Sequence, residues 1–289
     1  MKDFVISTES NADLSDDFIR ENGICVIPHY YSIEDEVYGE EKLLTIPQFY
    51  DAMRAGKTAA TMASNPAVIE EKFGAYAKEG KDILHISFSS ELSAGCSNVV
   101  VTAAAVMEEY PGSKIFVVDT LSASLGEMMM IVKALELKKA GRTIEETRAE
   151  LEALVPNICV LFTVDDLNHL FRGGRLSKTQ AVVGSLIDVK PILHINDGGK
   201  LVALQKTRGR KKSMNMMLAN MEERLGSWRD RQIIVGILHG DSEEDAEYLR
   251  RHIEDVMGYK NTVFRPIGPS IGAHSGPGAL GITFMGEYR

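Results

Sequence analysis

Long apolar runs, paired cysteines and a surplus of positive charge are all missing from this chain of 289 residues. No stretch approaches the ~20 uncharged apolar residues that a membrane-spanning helix needs, which argues against a membrane-spanning protein. Cys25, Cys96 and Cys159 stand far apart with no C-x-x-C. Neither a disulfide framework nor a structural zinc site is therefore expected, and the chain reads as one for a reducing cytoplasm. The net charge of -9 disfavours a general nucleic-acid-binding surface, which needs a basic face. The opening Met1-Lys2-Asp3-Phe4-Val5-Ile6 lacks the apolar stretch of a signal peptide. Internal repeats and low-complexity linkers are also missing. What remains is ordinary globular composition, 44% hydrophobic and 25% charged, with core enough for one large or two ordinary domains.

Strand signals and helix signals alternate through the first half. Phe4–Ser7, Ile83–Phe88 and Ile115–Val118 are short apolar strands. Ser97 to Tyr110 and the segment holding Met128-Met129-Met130 read as helices. Such alternation implies a parallel sheet covered on both faces. The second half differs. Val160–Val164 reads as a strand, Asp165 to Leu170 as a short helix, and Gly173-Gly174 breaks the chain. Ile192–Ala203 is a hairpin around Asn196-Asp197-Gly198-Gly199. Helices near Lys212–Leu225 and Glu243–Met257 flank a strand at Ile233–Leu238, and Ile282–Met285 closes the chain as a strand. The expectation is an α/β protein of two domains, 1–160 and 161–289, the first with a mostly parallel sheet and the second α+β.

Two segments carry candidate chemistry. The run Gly268-Pro269-Ser270-Ile271-Gly272-Ala273-His274-Ser275-Gly276-Pro277-Gly278 is expected to be a loop, because glycine and proline penalise helix. Its functional side chain is His274, read either as a loop-stiffening hydrogen-bond partner or as part of a site. Ser89-Ser90-Glu91-Leu92-Ser93-Ala94-Gly95 joins a strand to a helix, with Ser93 a plausible N-cap. There the unpaired N–H groups at a helix start, with the Ser90 and Ser93 hydroxyls and the open backbone at Ala94, suit a carboxylate or phosphate. An ordinary capped helix is the plainer reading of the same residues. His85 and His194 lie inside apolar strands and read as core residues. Cys96 reads as a small buried residue rather than a nucleophile. Arg172, within Phe171–Arg175, offers a guanidinium for an anion. The basic run holding Arg208, Arg210, Lys211 and Lys212 is a solvated face or a docking patch for an acidic partner.

Enzyme motifs fare worse. Gly268-Pro269-Ser270-Ile271-Gly272 matches G-x-S-x-G, but no Asp/Glu-then-His order follows Ser270, and a loop rather than a helix is expected after it. Gly276–Gly281 matches G-x-G-x-x-G with no room for a ribose-binding acid. A hydrolase triad of Ser93, His274 and Asp119, or phosphotransfer through His274, stays open, as does an interaction protein.

The order and spacing of several short segments resemble the DegV family, which includes fatty-acid-binding subunits of bacterial fatty acid kinase. The matching segments are Thr8–Leu14, Thr61–Pro66, Ser89–Ser93, Asp119–Ser124, Leu170–Arg175, Lys190–Leu193 and the closing Gly-Pro run. The resemblance implies a three-layer α/β/α N-terminal domain and a second domain, with a long-chain fatty acid in an inter-domain tunnel. It further implies that hydroxyls at Thr61 and Ser93 hold the carboxylate, with His274 nearby. Such a protein needs no cofactor and performs no chemistry alone. It takes the acid from a membrane by transient contact and presents it to a separate ATP-dependent kinase, which makes acyl phosphate. Burial of each chain CH₂ would contribute about 0.8 kcal/mol. The sequence departs from the family pattern at Glu9 for Asp, at Met62-Ala63 after Thr61, and at Ala94-Gly95 after Ser93.

Overall fold

The structure, a computed structural model, describes residues 2–177 and 189–289. It divides into two compact units, Met1–Tyr30 with Met62–Val155, and Tyr31–Thr61 with Pro156–Arg289. The cut thus falls at Val155/Pro156, and Tyr31–Thr61 groups with the C-terminal residues instead of lying wholly within 1–160. Packing explains the exchange, since Tyr31, Ile33, Tyr38, Phe49, Tyr50, Met53 and Ala59 share a buried cluster with Ala273.

In chain order the elements begin β1 (Phe4–Glu9), α1 (Asp16–Asn22) and β2 (Cys25–Ile27). The excursion into the second unit carries β3 (Tyr30–Ile33), β4 (Glu36–Tyr38), α2 (Ile46–Arg54) and β5 (Ala59–Met62). The first unit resumes with α3 (Pro66–Lys78), β6 (Asp82–Ser87), α4 (Gly95–Glu109), β7 (Ile115–Asp119), α5 (Leu125–Lys139) and α6 (Ile144–Leu154). Its sheet is wholly parallel, ordered β2-β1-β6-β7. All six residues of β1 and of β6 are buried, as expected of inner strands covered on both faces. Val5, Ile83 and Ile115 pack on Ile69, Phe73, Val99 and Val106 of α3 and α4. Met129, Met130 and Ile131 of α5 are fully buried, so the methionine run is core. Local chemistry fixes the helix starts: Asn65 accepts the Ala67 N–H ahead of Pro66, and Thr143 with Glu146 forms a capping box.

The second unit continues with β8 (Ile158–Thr163), α7 (Asn168–Arg172), β9 (Val189–Ile195), β10 (Leu201–Arg208), α8 (Arg210–Leu225) and β11 (Val235–His239). It ends with α9 (Glu243–Arg251), β12 (Thr262–Pro266), α10 (Pro269–Ser275) and β13 (Leu280–Met285). Its main sheet is mixed, ordered β10-β9-β8-β13-β11-β12, antiparallel except for β11 beside β12. The hairpin turn closes as its sequence implies. Asn196 Oδ1 accepts from Gly198 and Lys200 N–H, and Gly199 takes φ 78°. Met214, Met217, Met221 and Leu225 of α8 fill the core beneath it.

Candidate functional site

The glycine-proline run is a helix, not a loop. Pro269 stands at the start of α10, where its missing N–H costs nothing, and Gly276 ends the helix at φ 76°. Sequence reasoning treated these glycines as sources of backbone freedom; close approach explains several of them. A Cβ on Gly272 would meet the Tyr50 hydroxyl at 2.7 Å and the Phe49 ring at 2.8 Å. On Gly276 it would strike His169 at 2.4 Å, and on Gly278 the Asp165 carboxylate at 2.0 Å. The short helix is thus seated against α2 and α7, and the Tyr50 hydroxyl donates to the Ile267 carbonyl at 3.0 Å just before it.

This seating fixes His274. Its Nε2 shares a hydrogen bond of 2.8 Å with the Thr61 hydroxyl, so two residues singled out from sequence meet. Its Nδ1 is buried without a hydrogen-bond partner among the described residues, facing Gly173, where a Cβ would come within 2.1 Å. Burial, and then the Arg175 guanidinium, hold the imidazole down to about 4, so it is neutral at neutral pH. Arg172 does not face it. That side chain is exposed and meets His169 Nδ1 at 2.8 Å. Half-buried Arg175, whose guanidinium reaches the Gly173 carbonyl at 2.5 Å, is the arginine whose charge His274 feels.

In the first unit the serine loop leaves the C-terminal end of β6, the edge where parallel sheets place ligands. Ser93 is one residue short of the N-cap, which is Ala94, yet its Oγ accepts the Gly95 N–H at 3.1 Å. Ala94 is exposed and Ser93 half-buried. Ser90 is exposed, and its N–H goes to Asp119 Oδ1 at 3.3 Å, which also accepts from Leu121 N–H at 2.9 Å. Asp119 therefore ties two loops together. Among the described residues no carboxylate pairs with His274. Burial pushes the Cys96 thiol up to about 11, which leaves it no nucleophile at neutral pH.

A polar cluster that the sequence reading missed lies beneath this loop. Glu9, at the end of β1, is buried and accepts from the Ser87 hydroxyl at 2.9 Å and the Phe88 N–H at 3.1 Å. His85 Nε2 lies 3.4 Å from it, and His85 Nδ1 meets Ser7 Oγ at 3.0 Å. His85 is thus the buried, hydrogen-bonded core residue expected, and it belongs to this cluster. Glu127 of α5, equally buried, accepts from the Thr8 hydroxyl at 2.5 Å. Burial and then the charge of Glu9 raise Glu127 well above the carboxylate range, so it is protonated. For Glu9 burial works upward too, but His85, then His29 and the Phe88 N–H, outweigh it, and it is ionised. The signal was in the sequence: Glu127 is a lone acid followed by Met128-Met129-Met130-Ile131.

Elsewhere the basic run is split. Arg210 is taken up by Asp245 at 2.7 Å and Ser242 at 3.4 Å, and Lys211 lies over the Tyr248 ring. No group of three or more His, Cys, Asp or Glu able to hold a metal ion occurs among the described residues. No helix among them is long and apolar enough to cross a membrane.

Comparison with known proteins is consistent along the chain. The model of the DegV family, described as uncharacterised, matches residues 3–287. A DegV domain-containing protein of Clostridium perfringens is 36% identical over 291 residues, covering 100% of this chain and 99% of that protein. Among solved structures, a DegV family protein from Thermus thermophilus described for its fatty acid binding superposes at TM-score 0.87 and 28% identity, covering 99% of this chain and 100% of that one. DegV of Bacillus subtilis, a fatty acid binding protein, gives 0.86 and 27%, with the same coverage.

Proposed function

Because this chain belongs to the DegV family, we propose that it binds a long-chain fatty acid in an apolar tunnel, with the carboxylate on the Thr61 and Ser93 hydroxyls. The observation that carries this reading is the pairing of Thr61 with a neutral, buried His274 that has no acid partner among the described residues. Relatives at 28% and 27% identity described as binding fatty acids support the ligand class. Hydroxyls and a helix start suit a carboxylate, and burial of the hydrocarbon chain supplies most of the affinity. Ser90, Ala94 and Arg172, being exposed, belong to the rim of the site.

On this reading the protein is a cytoplasmic carrier without catalytic activity or cofactor. It takes its ligand up by transient membrane contact and hands the carboxylate to a separate ATP-dependent fatty acid kinase. Arg208, Lys211 and Lys212 then serve partner docking, while Arg210 stays in its internal ion pair. The test is mass spectrometry of organic extracts from purified wild-type and Ser93→Ala protein. Near-stoichiometric fatty acid in the first and a clear loss in the second is expected. No fatty acid in either sample would overturn the reading.

A further inference from the structure

Above Gly95, at the start of the 15-residue helix α4, three polar atoms converge on one point. A methyl group built on Gly95 would stand 3.4 Å from His29 Nε2, 3.4 Å from Ser93 Oγ and 3.6 Å from Ser64 Oγ. His29 is 7% exposed and Ser64 0%, and both atoms are buried without a hydrogen-bond partner among the described residues. Unsatisfied polar atoms at that depth are costly, which marks the spot as prepared for a missing partner. All three can donate. Ser93 Oγ accepts the Gly95 N–H, which leaves its own proton to give. Ser64 brings a second hydroxyl, and burial keeps His29 neutral, with Nε2–H available in one tautomer. The helix start adds partial positive charge. Three donors facing one point match an anionic oxygen, which has lone pairs for all of them. A ligand hydroxyl would have to supply an acceptor while its own proton had nowhere to go.

We propose that His29, Ser64 and Ser93 form a cup over Gly95 that takes one carboxylate oxygen of the ligand and makes His29 and Ser64 determinants of head-group choice. The inference rests on the carboxylate reading above and adds the residues that recognise the charge. Filling the cup is the sharpest test, because alanine at Gly95 makes only ordinary van der Waals contacts and suits a helix better than glycine. Titration of delipidated protein with stearic acid and with octadecanol is the measurement, alongside thermal unfolding. Gly95→Ala and Ser64→Ala are each expected to weaken stearic acid binding roughly tenfold, with octadecanol binding and melting temperature little changed. If both variants bind stearic acid as wild type does while Ser93→Ala does not, the cup is refuted and the carboxylate reading stands. The same holds if stearic acid and octadecanol weaken equally. If wild-type protein binds no stearic acid, both fall together.

Discussion

His85 and His274 are both buried histidines, and the chain surrounds them in opposite ways. In the first unit His85 has the Ser7 hydroxyl on one nitrogen and the Glu9 carboxylate 3.4 Å from the other, with protonated Glu127 in the same buried cluster. In the second unit His274 has one hydroxyl, from Thr61, an unpartnered Nδ1 and the positive charge of Arg175 nearby. Where the protein needs a carboxylate for its own architecture, it supplies one. Around His274 the described residues place the Thr61 hydroxyl and the positive charge of Arg175 and no carboxylate, which on the proposed reading suits a ligand carboxylate.

The comparison can be broken hardest at the glycines that seat α10. Gly272→Ala would drive a methyl group into Tyr50 and Phe49, and is expected to cost about 3 kcal/mol in denaturant unfolding, at the high end for overpacking. Gly95→Ala should leave stability within about 1 kcal/mol. Acid titration comes next. A histidine depressed in the folded state to about 4 from 6.5 leaves the unfolded chain binding more protons between those values. Stability therefore falls as pH drops through that window, by about 3 kcal/mol in all. In His274→Gln that portion of the pH slope should vanish, which urea unfolding at several pH values would reveal. The first unit offers the contrasting test. Glu9→Gln turns an acceptor of two donors into a mixed group and is expected to cost about 2 kcal/mol. Glu127→Gln replaces an already neutral acid and should cost less than about 1 kcal/mol. Equal losses in the two variants would contradict the assignment of the proton to Glu127.

The same contrast shows what the amino-acid pattern can disclose. Period and turn chemistry carried the alternating first half, the Asn196–Lys200 hairpin and the serine loop, because those signals are local. The run ending at Gly278 misled for a physical reason. Glycine serves both backbone freedom and close packing, and only the neighbours Phe49, Tyr50, His169 and Asp165 reveal which applies. The grouping of Tyr31–Thr61 with the C-terminal unit was hidden likewise, since it depends on α2 packing against residues more than two hundred positions later. His274 was singled out from the glycine-proline run and Thr61 through family resemblance, whereas Ser64 and His29 were not, because orphaned atoms do not show in spacing. Arg172 was preferred to Arg175 although the two differ only in which side of Gly173-Gly174 they stand, and the turn itself decides which one reaches inward.

On the proposed reading the Thr61 and Ser93 hydroxyls hold one carboxylate. Stearic acid affinity of wild type, Thr61→Val, Ser93→Ala and the double variant, measured by isothermal titration, tests it most directly. Each single change should weaken binding by roughly tenfold, and the double variant should lose less than the sum of the two free energies, because the second hydroxyl cannot hold a head group already displaced. Affinity unchanged in both single variants would contradict the claim.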